Sequence, residues 1–330
     1  MTGFVLTVAL LAPAPVPQDA KKSDQKFQQD VAKARTKAID YLKKRQQENG
    51  SWENVFIDFA VEMKGGTTGL ATLALLEAGV PANDPAVTKA VEYLVKIEPK
   101  KTYVVSLQTQ VLARVDKQKH AKQIQKNVDW LLANATKNNG RIAGWSYPQN
   151  NVADGSNTHF AVMALHSAAQ AGAKLDDKLW KEIHVMYEET QQDKGWSYYT
   201  GTKNATYNMT VCALLGLAIA AKHEPKAKGP GEGFNQGMES LLNLPARAQK
   251  SEGYRLFAIA ELGRTLGLTE FKAGKKSRAW SREDGQGLLK KQNEDGSWKL
   301  GEKIDGDGVI ATAFGLYFLG PPPKKYLILN

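Results

Sequence analysis

Carboxylates and tyrosines are the residues of this chain whose types and spacing could do chemistry. Asp154-Gly155-Ser156-Asn157 holds one acid, and Asp305-Gly306-Asp307-Gly308 holds two more, two positions apart. Two carboxyls divide acid and base roles when their surroundings keep one protonated and leave the other ionised. Along a cleft, such acids with tyrosines beside them are the apparatus of glycan cleavage. Tyr147, Tyr198, Tyr199 and His159 are the residues that could complete a site with Asp154, Asp305 and Asp307. The glycines around Asp305 and Asp307 favour a plainer role, capping the entry to a helix. His159 stands five positions after Asp154, a spacing without ligand geometry; a hydrogen-bonded polar residue at a helix entry fits it better than a base. His166 follows on roughly the same helix face, but two histidines without a third donor make no metal site. Cys212 is the one cysteine, set between Val211 and Ala213, where a small buried hydrophobe is expected rather than a nucleophile. No disulfide, metal or cofactor is expected.

The elements that must position these residues repeat along the chain. Gly144-Trp145-Ser146-Tyr147 and Gly195-Trp196-Ser197-Tyr198 match letter for letter. Asn49-Gly50-Ser51-Trp52 and Asp295-Gly296-Ser297-Trp298 are close variants. After each comes an apolar segment rich in alanine and glycine, and repetition at this period marks stacked units that cannot bury their apolar faces alone. Such segments fall near 67–79, 103–115, 156–171, 206–221, 253–267 and 308–319. Between them lie amphipathic segments with charge on one side, such as Val87-Val91-Leu94 and Ile124-Val128-Leu131. Alternation of enclosed and half-exposed helices, counted in pairs, predicts an all-α fold, a single (α/α)6 toroid of outer and inner helices, with an open α-solenoid as the alternative. Asp84-Pro85 and Asp176-Asp177 read as helix starts.

The boundaries expected are a leader over 1–22, the toroid over 23–320 and a tail over 321–330. Phe4 to Ala12 is too short to span a bilayer and suits a signal-peptide core, so export to the periplasm or medium is expected. No stable membrane span is expected elsewhere. The net charge of +10 comes from 44 Lys and Arg against 34 Asp and Glu. Lysines such as Lys117, Lys119, Lys122 and Lys126 lie on a presumed outer face without interleaved aromatics, which points to a solvated basic face and away from nucleic acid.

Leu42-Lys43-Lys44-Arg45-Gln46-Gln47-Glu48-Asn49-Gly50-Ser51-Trp52 and Leu289-Lys290-Lys291-Gln292-Asn293-Glu294-Asp295-Gly296-Ser297-Trp298 carry a resemblance. Both resemble the QW repeat of the squalene–hopene cyclase and protein prenyltransferase β-subunit superfamily, an apolar helix end, Gln, then Gly-x-Trp. The resemblance extends over nearly the whole chain past the leader. It implies an (α/α)6 toroid, and it implies that Gln46, Gln292, Trp52 and Trp298 tie outer helices together. Trp145 and Trp196, with Tyr147, Tyr198 and Tyr199, are expected to line the mouth of the barrel.

The chemistry the resemblance would bring does not come with it. A cyclase of this type protonates an alkene with an Asp-x-Asp-Asp motif, and Asp305-Gly306-Asp307-Gly308 lacks the final acid. A prenyltransferase β-subunit binds zinc through Asp-x-Cys and a later His. Here Asp154 is followed by Ser156, and Asn208 stands in the place of the His, so two of the three ligands are poor zinc donors. Thioester-containing complement domains share the toroidal shape, but their Gly-Cys-Gly-Glu-Gln signature is absent.

Parallel inner helices would aim their positive ends at one rim, giving a polar, aromatic mouth over an apolar interior. The expected function is therefore a cyclase- or prenyltransferase-like toroid without the standard acid and zinc motifs. It would bind an apolar or isoprenoid small molecule, or a protein partner, at that mouth. The binding residues expected are Trp145, Tyr147, Ser156, Asn157, His159, Trp196, Tyr198, Tyr199, Tyr207 and Asn208. The alternative is a terpenoid- or glycan-acting enzyme with a divergent site around Asp154 and Asp307.

Overall fold

A computed structural model describes residues 18–53, 63–148, 150–199, 202–224, 227, 229–246 and 251–321. Its helices alternate between two kinds, as the apolar periodicity requires. The outer kind comprises α1 (Gln18–Arg45), α3 (Pro85–Lys96), α5 (Ala121–Ala133), α7 (Lys178–Thr190), α9 (Glu232–Leu241) and α11 (Trp280–Leu289). In α3 only Ala86, Val87, Ala90, Val91 and Leu94 are buried, a single stripe facing inward. The inner kind comprises α2 (Gly66–Glu77), α4 (Thr102–Asp116), α6 (Gly155–Ala171), α8 (Tyr207–His223), α10 (Glu252–Leu266) and α12 (Gly308–Phe318). These are enclosed almost all round; α8 is buried without a break from Tyr207 to Ala220.

Each inner helix packs on the next, and α12 returns to pack on α2. The six inner helices therefore close a ring, and the open-solenoid alternative is set aside. Outer helices shield the seams, with α1 lying against both α11 and α12. The Arg35 guanidinium of α1 donates twice to the Leu319 carbonyl after α12, at 2.9 and 2.6 Å, which fastens the two chain ends of the ring.

The tryptophan repeats are the joints of this ring. Four indole N–H groups donate to carbonyls near the end of an outer helix: Trp52 to Leu42, Trp145 to Leu131, Trp196 to Tyr187 and Trp298 to Leu288. The main-chain N–H of each of these tryptophans donates to a threonine hydroxyl in the first turns of the following inner helix: Thr68, Thr158, Thr210 and Thr312. Each Trp thus satisfies orphan polar groups at one helix end while filling the space between two helices. Gln46 donates to Ala86 of α3, Gln191 to Gly233 of α9 and Gln292 to Ala34 of α1, so successive outer helices are also tied.

Among the described residues, two short antiparallel hairpins interrupt the helices, β1 (Thr136–Asn138) with β2 (Arg141–Gly144), and β3 (Phe271–Ala273) with β4 (Lys276–Arg278). They were not anticipated. Their strands are three or four residues long, too short for alternation to show. Asn139-Gly140, both at positive φ, was the one turn signal for the first of them. The leader expected over 1–22 lies outside the described residues as far as residue 17, and helix α1 runs from Gln18. The tail beyond Pro321 also lies outside the described residues.

Candidate functional site at the mouth of the barrel

Alternating antiparallel pairs send all six inner helices the same way, so their N-termini meet at one mouth. Asp154 caps α6. Its Oδ1 accepts from the Asn157 main-chain N–H at 2.8 Å and the Ser156 hydroxyl at 2.7 Å. Its Oδ2 accepts from the Asn157 amide at 2.7 Å and the Ser146 hydroxyl at 3.1 Å. Asp307 caps α12, accepting from the Val309 and Ile310 N–H groups at 2.9 and 3.0 Å. Asp305 caps a different helix from the one it precedes: its Oδ2 accepts from the Gly253 N–H in the first turn of α10, at 2.9 Å. Burial pushes the Asp305 carboxyl up to about 6, against the pull of those α10 N–H groups. All three acids therefore sit where an inner helix presents its positive end. In ring order α6 lies opposite α12, so Asp154 and Asp307 stand on opposite sides of the mouth; Asp305, at the start of α10, is separated from Asp154 by α8, and neither acid hydrogen-bonds to Asp154 among the described residues.

Below the mouth the centre is filled by aromatic rings. Phe160 of α6 stacks on Phe257 of α10 at 5.4 Å between centroids, although α8 separates these helices in the ring. Tyr103 of α4 lies 4.4 Å from Phe160, and Tyr317 of α12 lies 4.6 Å from Phe257. Side chains from four of the six inner helices thus meet on the axis. The Tyr254 hydroxyl lies 2.9 Å from His159 Nδ1 and 3.1 Å from the Cys212 sulfur. Burial pushes the His159 imidazole down to about 3 and the Cys212 thiol up to about 12, so both are neutral at ordinary pH. Asn157 Oδ1, His159 Nε2 and Asn208 Oδ1 are buried without a hydrogen-bond partner among the described residues, three polar atoms beneath the mouth.

The other expected site residues divide into two groups. Tyr198 and Tyr199 stand edge to face at the rim, 43% and 52% exposed, with the Tyr198 hydroxyl 3.1 Å from the Ser156 hydroxyl. Tyr147 joins them over Tyr103, with the Lys101 ammonium 5.6 Å from its ring centre; burial and the nearby Asp154 hold its hydroxyl protonated. Trp145, Trp196 and Tyr207 are placed differently. Trp145 and Trp196 are buried joints between outer and inner helices and do not reach the mouth. Tyr207 is buried, and its hydroxyl accepts from Arg278, which also binds Asp284. The rings that fill the axis, Tyr103, Phe160, Tyr254 and Phe257, were not among the expected residues. Their only signal was a bulky ring within segments otherwise built from small residues.

A zinc ion of the prenyltransferase type does not fit these residues. Asp154 already accepts four hydrogen bonds, and Ser156 and Asn208 offer a hydroxyl and an amide oxygen. The fold and the mouth define an α/α toroid. Residues 20–169 match the A-macroglobulin TED domain family, whose domain is a thioester-containing α/α toroid. That stretch runs from α1 into α6, the first half of the ring. No curated protein matches the chain. The matched stretch holds no cysteine, and Cys212 lies in α8, so this chain has no thiol there from which a thioester could form.

Proposed function

We propose that this toroid is a non-catalytic, exported binding protein that holds a partner protein at its mouth. One observation carries the reading. Val152, Tyr198, Tyr199 and Ile304 stand 42–52% exposed on the loops entering α6, α8 and α12, above an interior closed by stacked rings. Large apolar side chains grouped on one rim are the composition of a protein interface, where tyrosine contributes contact area at low entropic cost. The filled axis weighs against an isoprenoid in the barrel, and the separation of Asp154 from Asp307 weighs against acid–base work shared between them. A photo-reactive residue in place of Tyr199, compared with one in place of Leu268, which is exposed elsewhere, tests this in the native host. A cross-linked protein specific to the Tyr199 position is expected. Equal capture at both positions, or a saturable thermal shift with isoprenoids abolished by Tyr199→Ala, would overturn the reading.

A further inference from the structure

At the pole opposite the mouth, five inner helices end around a cavity of about 540 Å3. Its size falls within the usual range for small-molecule sites. Its lining is charged, unlike the greasy interior above it. The Glu77 carboxylate holds two guanidiniums side by side: Oε2 accepts from Arg114 Nη1 at 2.6 Å, and Oε1 lies 3.3 Å from Arg264 Nε. Arg264 also donates through Nη2 to the Tyr317 and Phe318 carbonyls, while its Nη1 is buried without a partner among the described residues. Lys117 adds a third cation at the cavity edge. Glu261, one turn before Arg264, makes no hydrogen bond or ion pair among the described residues, and burial pushes its carboxyl up to about 7. His166 is neutral, pushed down to about 3 by burial with His223 beside it.

Three cations therefore face the Glu77 carboxylate and a Glu261 carboxyl that is about half ionised at pH 7, which leaves the lining net positive. A greasy ligand would leave Arg264 Nη1 without an acceptor, and a cation would be repelled. The negative ends of the surrounding helices oppose an anion, but each is a partial charge, weaker than the full charges of the cations in the lining. We propose that this cavity binds a small oxyanion carrying carboxylate or phosphate groups, with Arg114 and Lys117 as its accessible donors and Arg264 supplying charge behind them. Arginine beside a dry wall is suited to such groups because its planar fork meets two oxygens at once. This site is independent of the mouth.

Calorimetry of the full chain with citrate and, separately, inorganic phosphate at matched ionic strength tests the proposal. Saturable one-site binding is expected for at least one of the two, and which one binds tells carboxylate from phosphate. Arg114→Gln should weaken it about tenfold to hundredfold, the worth of a charge-assisted hydrogen bond. Ser167→Phe, which fills the cavity without changing its charge, should weaken it similarly, and Tyr199→Ala should leave it unchanged. Absence of saturable heat with either anion overturns the proposal, as does unchanged affinity in either cavity variant that folds. Should both variants fail to fold, slower amide exchange in the last turns of α4 and α10 on adding the bound anion is expected in the unmodified chain. Exchange unchanged there would overturn the site.

Discussion

The Asp305 carboxyl is buried where it can accept the Gly253 N–H, yet that hydrogen bond does not offset the cost of burying its charge. With its ordinary value at 3.8 and its folded value near 6, the folded state holds the proton more tightly. The stability this contributes is full below about pH 4 and is lost as pH rises through about 6. Asp305→Asn keeps an oxygen for the Gly253 N–H and carries no charge. It should match the wild type near pH 4 and exceed it at pH 7, by at most about 3 kcal/mol. Denaturant titrations of both proteins at the two pH values check this; a gap that does not change with pH would refute the assignment. Asp154 and Asp307 show why acids at these positions read equally well as catalysts and as caps. A helix N-terminus stabilises a carboxylate whatever the carboxylate is for, and only the places of α6 and α12 on opposite sides of the ring show that these two do not meet.

At the scale of the element, the loop between an outer and an inner helix is a small machine of fixed parts. In the turn before Trp298, Gly296 sits at φ +91°, and a Cβ there would run into the Lys37 carbonyl of α1. Gly50 repeats the arrangement against Lys89 of α3. Gly274, in the β3–β4 turn, also has positive φ (+58°), but a Cβ there would meet nothing within 4 Å. The pair separates conformational cost from collision. Gly274→Ala should cost about 1 kcal/mol from the left-handed backbone alone. Gly296→Ala should cost at least ~1–3 kcal/mol more, because α1 must move away from the turn. Urea unfolding of the two variants measures the difference, and equal losses would show that the turn and α1 are not tightly docked. These loops were the most legible part of the sequence, since a Gly, a Trp and a following Thr recur in order. Their meaning was less so. Trp145 and Trp196 looked like rim residues because they adjoin Tyr147 and Tyr198, but their indoles turn inward to cap a helix.

The whole molecule is a closed ring, so its two ends share one seam. Arg35 spans it from α1 to the carbonyl after α12, and Gln292 ties α11 back to α1. Arg35→Gln should lower stability by roughly 1.5–3 kcal/mol, the worth of hydrogen bonds from a charged donor. It should also speed amide exchange in α1 and α12 together, ahead of α6 on the far side. Uniform acceleration around the ring would mean that the seam is not its weak point. The number and order of the helices, and which of them are enclosed, were legible along the chain. Those properties follow from local periodicity and from residues a few positions apart. Only the packed fold shows that α12 meets α2, that rings from α4, α6, α10 and α12 fill the axis, and that a charged cavity lies at the pole away from the mouth. Each of these depends on side chains brought together from distant turns of the chain, whose directions are set by how the helices rotate against one another, and no spacing along the sequence records that rotation.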